Sequence, residues 1–128
     1  MKRTRAFTSG FLGTRENGRY FPMFGRYEMR ARLPHGQGLW PAFWLRHRRG
    51  AGVAEVDVME YFGDYPRDDG IASFQHVLQS DNTMKKIGRM FPETALMKGT
   101  ERFSANYHVY SLEWTPTSYV FRVDGREY

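Results

Sequence analysis

The chain contains no cysteine. Disulfide scaffolds, thiolate metal sites and cysteine nucleophiles are therefore excluded, and the redox compartment cannot be read from thiol usage. Long apolar runs are also missing, so no transmembrane helix and no membrane partner is expected. The basic start MKRTRAFTSG resembles the opening of a leader, but no apolar stretch follows before Arg15, Asn17 and Gly18, and no signal peptide is visible. Histidine is scarce, with four in the chain and no pair at metal-ligand spacing. Neither a metal nor another cofactor is expected. Helical periodicity is weak throughout, the best case being a short piece near Glu93 to Lys98.

What is present describes one globular domain of 128 residues, 41% apolar and 16% aromatic, with a net charge of +5. A chain of this size buries roughly two-thirds of its extended surface, enough for a core but close to the lower end for two packed sheets. Charge is uneven: residues 1–49 carry 11 basic and 2 acidic side chains, and residues 50–69 carry 1 basic and 6 acidic. A basic first third could serve a polyanion. Arginines dispersed along strand faces are more simply a solvated surface, and no nucleic-acid partner is expected.

Strands and turns account for most of the sequence. From Arg26 to Leu33, Arg26, Glu28, Arg30 and Arg32 share one face, and Tyr27, Met29, Ala31 and Leu33 share the other. PHGQG at 34–38 is a turn, and LWPAFWL at 39–45 is a nearly continuous apolar strand. After the glycine-rich break HRRGAG at 47–52, VAEVDVMEYF is a second period-2 strand, ended by GDYPRDDG at 63–70. Further strands are expected at Ile71 to Leu78, Tyr107 to Trp114 and Tyr119 to Val123, with Pro116 at the second position of a tight turn between the last two. Short strands with frequent turns make the class all-β, an antiparallel sandwich or barrel.

The chemically loaded stretch is EVDVMEYFG at 55–63, with Glu55, Asp57 and Glu60 inside six residues. In a regular strand Glu55 and Asp57 share a face and Glu60 points the other way. One extra residue, most simply Val58 or Met59, restores the parity, and such bulges are common beside active sites. By themselves the three carboxylates fit an acidic strand edge or a divalent-cation site as well as a catalytic row. The flanking Val56, Val58, Tyr61 and Phe62 imply a strand embedded in a sheet, and Trp40 and Trp44 bring indole faces nearby in sequence. Two glutamates converging from one strand match retaining glycoside hydrolysis, which needs a nucleophile and an acid roughly 5 Å apart across the sugar.

EVDVMEYFG resembles the bulged E-x-D-x-x-E signature of glycoside hydrolase family 16, in particular its laminarinase-like endo-β-1,3-glucanases. FTSGFLGT at 7–14, GRYEMRARLPHGQGLWPAFWL at 25–45 and YHVYSLEWTPTSYVFRVDG at 107–125 resemble the stretches flanking that signature, in the same order, so the likeness covers about residues 7–128. The resemblance implies a β-jelly roll of the concanavalin A-like kind. It implies Glu55 as nucleophile, Glu60 as general acid and base, and Asp57 as the assisting carboxylate. Trp40, Trp44 and Trp114 are similar to family tryptophans in or near the sugar cleft, and His76 to the histidine beside the catalytic strand. On the residues alone each aromatic also fits core packing, and His76 an ordinary hydrogen-bonded histidine. His35 and His47 are read as turn residues and His108 as a strand residue.

A family 16 domain is roughly 200 to 250 residues long, so residues 1–128 are read as a single partial catalytic domain. Uncovered sheet edges make self-association to complete the sandwich an expectation. The function implied is a retaining, endo-acting hydrolase of β-linked glucan, most simply laminarin-type β-1,3-glucan, acting outside the cell. The alternatives are a carbohydrate-binding or inactive relative, and a hydrolase or transglycosylase acting on mixed-linkage glucan or an acidic exopolysaccharide.

Overall fold

A computed structural model describes residues 8–14, 18, 23–47, 52–63 and 70–128. The interiors of the two turns expected at 47–52 and 63–70 lie outside the described residues, as does Phe7. Eight strands and one short helix follow in order: β1 (Gly25–Ala31), β2 (Ala42–Arg46), β3 (Gly52–Phe62), β4 (Gly70–Leu78), β5 (Met84–Pro92), α1 (Glu93–Leu96), β6 (His108–Trp114), β7 (Tyr119–Val123) and β8 (Arg126–Glu127). They form two antiparallel four-stranded sheets, ordered β1-β6-β7-β8 and β2-β3-β4-β5. Among the described residues no helix is long and apolar enough to cross a membrane.

Alternation places each strand. On β1, Arg26, Glu28 and Arg30 are exposed, and Tyr27, Met29 and Ala31 turn inward. The inner face of β3 meets β6 across the sandwich in two clusters. Val56 and Val58 pack with Leu112; Met59 and Tyr61 pack with Tyr110, Phe103, Leu33 and Val123. Phe103 is fully buried and stands edge-on to both Tyr61 and Tyr110 at 5.8 Å between centroids, an arrangement the ring quadrupoles favour.

The turns carry their own chemistry. Thr115 N–H donates to the Ser118 carbonyl at 2.9 Å across the turn holding Pro116. Between β7 and β8, Asp124 (φ 49°) and Gly125 (φ 78°) both lie in the left-handed region. That is the two-residue hairpin for which Asp-Gly is the preferred pair. The Asp124 carboxylate also accepts the Val109 N–H at 2.8 Å and pairs with His108 Nδ1 at 2.7 Å, tying the hairpin to the start of β6.

Three strands depart from the expectations above. β5 was not anticipated because MKKIGRMFP shows no alternation: it is an edge strand with its first six residues exposed, so no buried face imprints a period. β8 consists of two exposed residues. The second strand begins at Ala42 rather than Leu39, because Pro41 has no N–H to give the ladder; its carbonyl accepts the Tyr61 N–H instead. The short helix is present over Glu93–Leu96, where Glu93 accepts the Phe103 N–H and pairs with Arg102.

Candidate active site

The carboxylates stand on β3, an interior strand of its sheet, paired with β2 on one side and β4 on the other. Along β2 the register slips between Phe43, opposite Met59, and Trp44, opposite Asp57. Along β4, Asp57 faces Phe74 and Glu60 faces Ala72, so three steps on β3 match two on β4. The extra residue is therefore at Val58–Met59. Val58 and Met59 are consecutive and both fully buried in the core, which a regular pleat forbids. Beyond them the parity is inverted, and Glu60 shares the open face with Glu55 and Asp57.

The unpaired bulge is held by hydroxyls. The Val58 carbonyl accepts the Ser73 hydroxyl at 2.9 Å and the Tyr128 phenol at 3.2 Å, and these two oxygens are 3.0 Å apart. Ser73 sits on the inward face of β4, between Ile71 and Gln75. The Tyr128 ring is clasped by Phe91 at 4.8 Å and Phe121 at 6.4 Å.

Cross-strand pairing lays the open face out as three rungs running from β2 to β5. The first is Arg46, Glu55, His76 and Lys86. The second is Trp44, Asp57, Phe74 and Gly88, and the third Ala42, Glu60, Ala72 and Met90. Trp40, Ala42, Trp44, Glu55, Asp57 and Glu60 line a groove of about 210 Å³. Asp57 and Glu60 are only 4% and 7% exposed, whereas Trp40, at the groove's lip, is 64% exposed.

Each carboxylate has a different environment. Trp40 Nε1 donates to Glu60 Oε1 at 3.0 Å, and Glu60 Oε2 is buried with no hydrogen-bond partner. Burial, and secondarily the neighbouring Asp57 charge, hold the Glu60 carboxyl above its ordinary range, against the opposing pull of Lys86, Trp40 and His76. Asp57 is likewise raised by burial, opposed by its bond to His76 Nε2 at 2.9 Å. His76 Nε2 also lies 3.8 Å from Glu55 Oε1, so one ring bridges the two carboxylates on the first two rungs. The arrangement sets a nearly buried carboxyl, Glu60, apart from a partly exposed one, Glu55, with Asp57 between them.

The ligating atoms of Glu55, Asp57 and His76 all lie within 4.8 Å of one another, the one group among the described residues close enough to share a metal ion. The hydrogen bond of His76 to Asp57 at 2.9 Å and its 3.8 Å approach to Glu55 bring these atoms together.

Of the residues singled out from the sequence, Glu55, Asp57, Glu60, Trp40 and Trp44 converge on the groove, and His76 contacts its carboxylates. Trp114 does not line it. Trp114 lies on β6 in the facing sheet, packs against the Val56–Val58–Leu112 cluster, stacks on Tyr119 at 5.2 Å, and borders a separate cavity of about 290 Å³. Its alternation with Leu112 and Tyr110 directs it inward. Sequence reasoning missed Ser73, Phe74, Lys86 and Tyr128. A lone serine on the core face of a strand beside a bulge is a signal for Ser73; Tyr128, 70 residues from Val58, offers none.

A family model described as Glycosyl hydrolases family 16 matches residues 4–128. The chain belongs to glycosyl hydrolase family 16. It is 35% identical to a beta-glucanase of Rhodothermus marinus, over 97% of this chain and 42% of that protein. It is 32% identical to a glucan endo-1,3-beta-glucosidase of Cryptopygus antarcticus, over 97% of this chain and 44% of the relative. The fold superposes on the laminarinase catalytic domain of Thermotoga maritima with a TM-score of 0.65 and 28% identity, covering 87% of this chain and 44% of that one. The chain thus spans less than half the length of these family 16 relatives, and its two antiparallel sheets form part of the family's β-sandwich.

Proposed function

We propose that this family 16 chain carries the catalytic groove of a retaining endo-hydrolase of β-linked glucan, with laminarin-type β-1,3-glucan as substrate. The observation that carries the reading is the bulge at Val58–Met59, which turns Glu60 onto the face of Glu55 and Asp57. A protein needing only a stable strand has no use for three carboxyls crowded on one face, two of them nearly buried.

The roles follow from the environments. Glu60, whose affinity for its proton is raised by burial and by Asp57, donates that proton to the glycosidic oxygen as the bond breaks. Glu55 attacks the anomeric carbon and forms the glycosyl-enzyme ester. Glu60, now ionised, takes a proton from water; that water attacks the same carbon, releases Glu55 and restores the anomeric configuration. Asp57, fixed by His76, stands between the two glutamates, and its charge keeps Glu60 from ionising early. Trp40, exposed and 5.2 Å from Phe62, offers a ring face for a sugar while its N–H orients Glu60. A polymeric glucan places the reaction outside the cell.

The test is release of reducing ends from laminarin by the purified chain beside Glu55→Gln and Glu60→Gln, with binding measured on the same samples and size-exclusion chromatography reading self-association. Loss of turnover in both variants with binding retained supports the hydrolase. Equal binding by all three with no cleavage by any makes the chain a glucan binder.

A further inference from the structure

Lys86 sits at the far end of the first rung, beyond His76 and on the open side of edge strand β5. Its ammonium lies 3.6 Å from the centroid of the Phe74 ring, over the aromatic face rather than beside a carboxylate. Among the described residues no acidic group is within ion-pair distance of it. Phe74 is the second-rung neighbour of Asp57, so the cation is parked on the sheet face that carries the carboxylates, on the side away from Trp40. The same charge pulls both Asp57 and Glu60 downward against burial, as a cation on their own side of the sheet must.

The next position outward from Phe74 is Gly88. Its backbone is left-handed (φ +143°), and an added Cβ would stand 2.1 Å from the Ser73 carbonyl oxygen, so this position stays bare. The result is a shelf: an aromatic ring, no side chain beyond it, and an ammonium above it. A neutral sugar can stack on Phe74 only by displacing the ammonium, because both need the same ring face. A sugar carrying a carboxylate leaves the ammonium in place and pairs with it. Without Lys86 such a sugar would approach a floor dominated by the charges of Glu55 and Asp57.

We infer that Lys86 is a specificity-determining residue that accepts a carboxylate-bearing sugar over Phe74, so that this groove prefers an anionic β-glucan to a neutral one. The inference rests on the hydrolase reading above and narrows its substrate class.

The test compares kcat/KM of the full chain on laminarin and on laminarin carboxylated at C6, which keeps the backbone and changes only charge. The effect of Lys86 on Asp57 and Glu60 bears on both substrates alike and cancels in the ratio. The parent chain should favour the carboxylated polymer. Lys86→Met should lower the ratio of the two kcat/KM values by about tenfold, mainly through KM, as expected for loss of one charge-assisted contact. Lys86→Arg should restore it. Lys85→Met, on the opposite face of the same strand, should leave it unchanged, and raising NaCl from about 20 to 200 mM should erode it. No preference in the parent chain, or a ratio unmoved by Lys86→Met, overturns the inference while leaving the hydrolase standing. If neither polymer is cleaved, the hydrolase reading fails, and titration calorimetry of both polymers against the parent and Lys86→Met decides the inference separately.

Discussion

The carboxylate face depends on a carbonyl that the bulge leaves outside the ladder. Val58 is fully buried, and its carbonyl is served by Ser73 Oγ at 2.9 Å and by the Tyr128 hydroxyl at 3.2 Å. Removing either hydroxyl leaves the other in place. Ser73→Ala and Tyr128→Phe, the latter keeping the ring between Phe91 and Phe121, should therefore each cost about 1 kcal/mol, the net worth of one hydrogen bond. The double variant strands a buried acceptor, at about 1–3 kcal/mol beyond the lost bonds. It should cost about 3–5 kcal/mol in all, more than the sum of the singles. For a chain of this length about 4 °C of Tm corresponds to 1 kcal/mol, so the singles should lose roughly 4 °C each and the pair at least 12 °C. The assay is thermal and urea denaturation of the four proteins as a double-mutant cycle. In parallel, kcat on laminarin should fall further in the double variant than in either single, because a relaxed bulge lets Glu60 turn from the groove. Strict additivity, or a double variant as stable as the singles, would show that the hydroxyls do not hold the bulge and would refute the reasoning.

Two further predictions concern Glu60. Trp40→Phe keeps a ring at the lip but removes the N–H that stabilises the ionised Glu60, so the carboxyl rises further; the alkaline limb of the kcat/KM profile should move to higher pH, with no change in far-ultraviolet circular dichroism. Burial raises the folded-state affinity of Glu60 for its proton above that of the unfolded chain, whose ordinary value is 4.5, so the native state binds more protons and stability falls as pH rises through that window. Glu60→Gln abolishes this loss: it should raise Tm relative to the parent at pH 7 and not at pH 3.5, as read by thermal melts at both.

Legibility in the sequence followed burial. β1, β3, β4, β6 and β7 have one face against the core, and their alternation exposed them. β5 lies at an edge with both faces largely wet, and its lysines and Gly88 carry no period to read. β8 was not anticipated, although Asp124–Gly125 is a hairpin signal in its own right. The carboxylate row was legible for a different reason: the spacing of Glu55, Asp57 and Glu60 conflicts with strand parity, and a conflict of that kind points to a bulge. Val58 and Met59, both apolar and both inward, resolve it. What lay hidden depends on long-range pairing. The meeting of Ser73 and Tyr128 at Val58, and of Lys86 with Phe74, is fixed by register between strands, which no local window of sequence contains. Trp114 shows the converse limit, since alternation announced its inward face but an aromatic residue type alone does not distinguish a sugar platform from core.

The most direct test of the paired-glutamate account is the anomeric configuration of the first product. Proton NMR of a laminari-oligosaccharide digest, recorded before mutarotation, should show the β-anomer rising first, as required if Glu55 forms a covalent intermediate that Glu60 then resolves with water. Initial appearance of the α-anomer would mean single displacement by water, and would contradict the roles given to Glu55 and Glu60.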